Sequence, residues 1–154
     1  MLDEATTIYT LESRKCFEDL RRVAAQIAGV LVLAEAGGKS ATPDHPMLKA
    51  AAQLHREAVD QVRSRQPPVA ARAHHEFLLR AADSLAAALA AALGLQLGSA
   101  AAVSTAASSR PLQTAAILPP VREAYEYLQC ASNVLPGFPM VAFEQACCAG
   151  HVHA

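Results

Sequence analysis

Residues 84–109 form an unbroken stretch without a charged side chain, and this feature constrains the fold more than any other. Alanine is the commonest residue of the stretch, and leucine recurs in its first half. A helix at a protein surface has a polar face, so a helix without charges is covered on most sides. We therefore expect this segment to be hidden from solvent around its whole circumference, by its own fold, by a second copy or by lipid.

The composition favours helices over strands. The chain has 154 residues, aromatic residues make up 5% of it, and it has no tryptophan. Alanine has the highest helix propensity, whereas the β-branched and aromatic residues that favour strands are sparse. A chain of this length suits one domain, so we expect residues 1–154 to form a single all-α unit whose core is built from leucine, valine, isoleucine and alanine.

Apolar residues at three- and four-residue spacing predict a first helix over residues 11–36. Gly37 follows it and supplies the left-handed residue that commonly ends a helix. The same spacing predicts a second helix over residues 46–65, with Asp44 as its cap and Pro46 in its first turn.

The Pro67-Pro68 pair breaks the chain, and a third helix is predicted from about residue 69. Such a short connection makes the second and third helices antiparallel neighbours. Gly94 or Gly98 is expected to end the third helix.

The last third of the chain is predicted to be less regular. Residues 98–110 are rich in alanine and serine and predict a flexible loop or a broken helix. A fourth helix is expected in two parts, a short turn before Pro119 and a longer piece that restarts at the Pro119-Pro120 pair. A turn over residues 136–139, a short helix over 140–148 and a tail over 149–154 complete the chain.

These elements predict an all-α fold, an antiparallel four- to five-helix bundle with up-down topology in the first three helices. The third helix is expected at its centre or in a homodimer contact.

Charge and targeting signals exclude several classes of protein. The net charge is −1 and no basic stripe is present, so we expect no nucleic-acid partner. The acidic start lacks the pattern of a secretory signal, which favours a cytoplasmic protein with reduced cysteines. The uncharged stretch contains too much alanine, serine and threonine for a membrane span, and we expect no membrane partner.

Two groups of residues are candidate sites. His74 lies on the apolar line of the third helix, and folding the second helix back brings Asp60 level with it. An aspartate that orients a histidine is a common device of catalytic and metal sites. Tyr125 is expected in the core with its hydroxyl at the rim, where it can contact a ligand. The second group is a possible transition-metal site, for zinc as an example, formed by the C-terminal residues Cys147, Cys148, His151 and His153.

Each group also has an ordinary structural interpretation: a histidine held at the edge of a bundle, and two small thiols before a frayed terminus. The sequence therefore predicts a non-catalytic bundle that acts through self-association or by binding a protein partner, with no cofactor. The alternative is a small-molecule- or metal-binding bundle, or a small enzyme, that uses His74 with Asp60 or the C-terminal Cys/His cluster.

Overall fold

The computed structural model describes residues 2–37, 39, 41–94 and 112–140, and these residues form helices and no strand. The all-α prediction is therefore confirmed for this part of the chain. The helices, numbered in chain order, are α1 (Glu4–Glu35), α2 (Pro46–Arg63), α3 (Arg72–Ala92) and α4 (Thr114–Val134).

Helix α1 begins well before the predicted residue 11 because Asp3 caps it. The Asp3 carboxylate accepts a hydrogen bond from the Thr6 backbone N–H at 2.7 Å, which satisfies one of the free amides of the first turn. The sequence pattern missed these turns because their buried positions are Thr6 and Tyr9 instead of aliphatic residues. Gly37, at a φ of 75°, follows the helix as predicted.

Helix α2 begins at Pro46, but its cap differs from the prediction. His45, and not Asp44, is the N-cap residue, and its Nδ1 accepts a hydrogen bond from the Met47 backbone N–H at 3.2 Å. A 3-10 turn over Val69–Ala71 then leads from the proline pair into α3.

Helix α4 passes through Pro119 and Pro120 without a break, so the predicted division into two parts is wrong. The two prolines donate no hydrogen bond to the carbonyls of Ala115 and Ala116, four residues earlier. Both alanines are exposed, so water can solvate these carbonyls. The loss of two backbone bonds is therefore tolerated at this surface position.

The four helices pack as a bundle in which each contacts the next and α4 returns to α1. Helices α1 and α3 also touch across the diagonal, and α3 packs much more closely on α4 than α1 does. The core consists mainly of aliphatic side chains; its largest fully buried members include Phe17, Leu20, Ile27, Leu48, Leu78, Leu85, Ile117 and Leu128.

The uncharged stretch is described only over residues 84–94, and there it is covered on one side. Leu85, Ala88 and Leu89 are buried, whereas Ala86 and Ala87 are exposed. Packing among the described residues therefore does not hide the full circumference of this helix, whereas the prediction expected it to be hidden on all sides. The predicted loop over 98–110, the predicted short helix over 140–148 except Met140, and the predicted tail over 149–154 lie outside the described residues.

No helix in the described part of the chain combines the length and the apolar character that crossing a bilayer requires.

Candidate functional site

A half-enclosed groove of about 950 Å³ runs between α1 and α4, and we call it the α1/α4 groove. Alanine, valine, leucine and glycine form much of its surface, and charged side chains come from both helices. Its described lining consists of Glu18, Arg21, Arg22, Ala24, Ala25, Ala28, Gly29 and Val32 from α1, Leu118, Val121, Arg122, Tyr125 and Glu126 from α4, and Met140.

Small side chains on α1 leave the space that forms the groove. Ala25, Ala28 and Gly29 lie three and four residues apart, so they share one face of the helix. None of them reaches far toward α4, and the two helices pack loosely compared with α3 and α4. The same face continues to Val32, whose side chain is 67% exposed. The groove is thus an apolar surface that the described helices leave open.

Ionic contacts on α1 hold some of the charges at the groove. The Arg21 guanidinium lies 2.7 Å from the Glu18 carboxylate. Arg22 lies 4.0 Å from one oxygen of Asp19, while Lys15 lies 2.6 Å from the other oxygen. Arg22 is therefore held only loosely by its own helix.

Two charged side chains on α4 lack such contacts. Neither Arg122 nor Glu126 forms an ion pair within the described residues, although they are one helical turn apart. The described lining carries three guanidinium groups and two carboxylates. It therefore has one surplus positive charge beside an apolar floor.

The length of the groove suits an extended ligand. From residue 18 to residue 32, α1 advances about 21 Å at 1.5 Å per residue. A segment of helix with about four turns has the same length. An apolar floor with charged groups at the edges is the arrangement that accepts the apolar face of an amphipathic helix.

A separate polar cluster joins the N-terminal parts of α1 and α3. The Tyr9 hydroxyl lies 3.1 Å from Nδ1 of the buried His74 and 3.4 Å from Nδ1 of His75. A phenol has one proton, so it donates to one of these rings and can accept only from the other. The other ring nitrogen of His74, Nε2, is buried without a hydrogen-bond partner in the described structure.

Burial shifts the pKa values of this cluster away from neutrality. Desolvation lowers the pKa of His74 to about 4, with a smaller contribution from His75, and raises the pKa of Tyr9 to about 12. Burial also raises the pKa of the nearby Cys16 thiol. A general acid or base works best with a pKa near the operating pH, so these shifts oppose such a role. The buried hydrogen bond and these shifts favour a structural role for the cluster, and a ligand-binding or catalytic role of His74 stays a prediction.

The neutral His74 makes the stability of the fold dependent on pH, with a loss of stability in acid. The unfolded chain takes up a proton at about pH 6.5, whereas the folded chain does so only at about pH 4. The stability that His74 contributes is therefore complete above about pH 6.5 and is lost as the pH falls toward 4, by roughly 3 kcal/mol. Urea unfolding at a series of pH values is expected to show this loss, and His74→Leu is expected to reduce it.

Tyr9→Phe is the control for this pH dependence. It removes the hydrogen bond to His74 but leaves the ring buried, and burial is the main cause of the low pKa. We expect Tyr9→Phe to keep the acid sensitivity of the wild type. Equal loss of stability in wild type and His74→Leu between pH 6.5 and 4 would contradict the assignment to His74.

The structure does not bring the predicted ligand-binding residues together. Asp60 is exposed and is not a partner of His74, because the only hydrogen-bonded nitrogen of that ring contacts Tyr9 and not Asp60. The described residues therefore form no Asp60–His74 hydrogen bond, since Nδ1 of His74 contacts Tyr9 on α1, and a ligand-binding role for either residue stays a prediction. Tyr125 is half-buried and lines the α1/α4 groove, which His74 does not line.

The predicted metal ligands Cys147, Cys148, His151 and His153 lie outside the described residues. Within the ranges that the structure describes, no three His, Cys, Asp or Glu side chains are grouped as metal ligands. Cys16 and Cys130 are free thiols.

Sequence reasoning missed the α1 wall of the groove. Ala28 and Gly29 could have indicated it, because small residues on one face of a helix leave space beside that face. The other wall comes from residues 118–126, about 90 positions later, and no local pattern connects the two segments.

Comparisons of this chain with protein-family models, with curated protein sequences and with solved structures find no match. Its function is therefore inferred from the groove and its chemistry.

Proposed function

We propose that this protein is a non-catalytic helical bundle that binds an amphipathic helix of a protein partner in the α1/α4 groove. The observation that carries the proposal is the apolar, half-enclosed groove of about 950 Å³. An amphipathic helix buries one face and leaves the other in water, which suits a groove that is open along one side.

The open side favours a helix over a small molecule. Small-ligand sites usually bury 70–90% of their ligand within about 300–1,000 Å³. The α1/α4 groove has the volume for such a ligand, but its open side leaves part of an apolar molecule in water. The charged groups on both walls, such as Arg22 and Arg122, would then meet the polar edges of a helix.

Self-association stays a second prediction, with a homodimer as its expected form. It is supported by α3, where Ala86 and Ala87 are exposed and no charge follows Asp83 within the described helix. A second copy packed on this face would bury the two alanines that the described part of one chain leaves exposed. Light scattering at tens of micromolar tests this, and a monomeric mass would count against it. A cytoplasmic location also stays a prediction.

Ala28→Phe is expected to block the groove. Ala28 is half-buried and lines the groove, so the new ring would fill the space that the apolar face of a bound helix needs. The probe is a fluorescent synthetic helix of about 16 residues, with leucine at i, i+3, i+4 and i+7 and alanine and glutamine elsewhere. Fluorescence anisotropy with the full chain is expected to show binding that Ala28→Phe weakens at least about tenfold.

Ala87→Phe is the matched control, because Ala87 lies on the exposed face of α3 and does not line the groove. It adds the same ring and is expected to leave binding of the synthetic helix unchanged. Circular dichroism of both variants checks that the bundle is intact. If both variants bind the synthetic helix as the wild type does, the groove is not the binding site.

A further inference from the structure

We propose that the helix bound in the α1/α4 groove carries acidic side chains at its two edges, which pair with Arg122 on one wall and with Arg22 on the other. This inference rests on the proposed function and specifies the chemistry of the partner. It follows from the balance of charge at the groove, where three guanidinium groups accompany two carboxylates.

The contacts of each charged group show which cations are available to a partner. Arg21 is engaged by Glu18 at 2.7 Å, so this pair is already neutralised. Arg22 stands 4.0 Å from Asp19, and the Asp19 carboxylate is bound more closely by Lys15 at 2.6 Å. Arg22 can therefore turn toward a ligand without breaking a short ion pair.

Arg122 is the second available cation, and it lies on the opposite wall. It forms no ion pair with a described residue. Glu126, one turn away on the same helix, is the carboxylate that offsets one of the two arginines. Guanidinium groups bind carboxylates through two parallel hydrogen bonds. A carboxylate on the partner would therefore bind Arg122 through both charge attraction and hydrogen bonds.

The groove disfavours the reverse arrangement of charges. A lysine at the edge of the bound helix can pair with Glu126, but it also faces Arg22 and Arg122, and like charges weaken binding. The apolar floor beside Ala28 and Val121 binds both kinds of helix equally, so the edge residue decides between them.

Two synthetic helices test the inference, identical except that the edge positions are glutamate in one and lysine in the other. With the full chain, the glutamate helix is expected to bind at least about tenfold more tightly. Arg122→Glu is expected to remove or reverse this preference. Arg72→Glu changes the net charge equally but does not line the groove, so it is expected to preserve the preference.

The outcomes separate this inference from the proposed function. Equal binding of both helices, with both blocked by Ala28→Phe, would overturn the acidic partner and leave the groove as a helix site. Binding of neither helix, or binding unaffected by Ala28→Phe, would overturn the proposed function together with the inference. A dimer that Ala28→Phe converts to monomer would assign the groove to a second copy and would also overturn the inference.

Discussion

Ala88→Glu is expected to prevent stable folding of the bundle. Ala88 is fully buried in α3, between the helix and the rest of the core. A glutamate there either buries a charge or is protonated at a cost, and its extra volume overfills a packed site. We expect a loss of roughly 4 kcal/mol or more in the free energy of unfolding, which is a large part of the stability of a typical domain.

The adjacent Ala87→Glu is the matched control for this substitution. Ala87 is exposed, so the same carboxylate stays in water and the expected change is within about 0.5 kcal/mol. Urea unfolding followed by circular dichroism compares the two variants. Similar urea-unfolding curves for Ala88→Glu and wild type would contradict the buried position of Ala88. Light scattering of Ala87→Glu adds a test of the homodimer, because a second copy on this face would be displaced.

Phe138→Ala is expected to have the second largest effect, although the residue lies beyond the last helix. The buried Phe138 ring packs on Phe17 with ring centroids 5.2 Å apart, and on His74 with centroids 4.1 Å apart. Replacement of a buried phenylalanine by alanine costs roughly 3–5 kcal/mol. For a chain of this length, the expected decrease in Tm is roughly 6–20 °C.

Val134→Ala is the control for Phe138→Ala, since Val134 ends α4 and its side chain is 47% exposed. Its removal deletes little buried surface, so we expect a change below about 1 kcal/mol. Calorimetry of both variants measures the difference. A Tm for Phe138→Ala within a degree or two of the wild type would show that the ring does not hold the turn to the bundle.

The sequence predicted those parts of the fold whose signals are local. Pro46 and the Pro67-Pro68 pair mark the ends of α2 through the missing N–H and the fixed φ of proline. Gly37 marks the end of α1 because its positive φ is costly for other residues. These constraints act within a few residues, so a pattern in the sequence is sufficient to find them.

Other parts depended on distant contacts or on solvent. The start of α1 was missed because its buried positions are Thr6 and Tyr9, and the packing of the bundle buries Thr6 although its side chain is polar. Helix α4 continues through Pro119 at a place where Ala115 and Ala116 are exposed, and the sequence does not show this exposure. Asp60 was assigned to His74 by position along two helices, but the direction of the ring depends on Tyr9, which is 65 positions away.

The turn that follows α4 has a consequence for biosynthesis. Arg14 donates a hydrogen bond to the carbonyl of Gly137, 123 positions later, and Phe138 covers Phe17 and His74. A ribosome makes α1 first, so this end of its apolar face is not covered until residue 138 has been made. We expect nascent chains that stall before residue 138 to expose part of Phe17 and to be recognised more readily by chaperones and proteases.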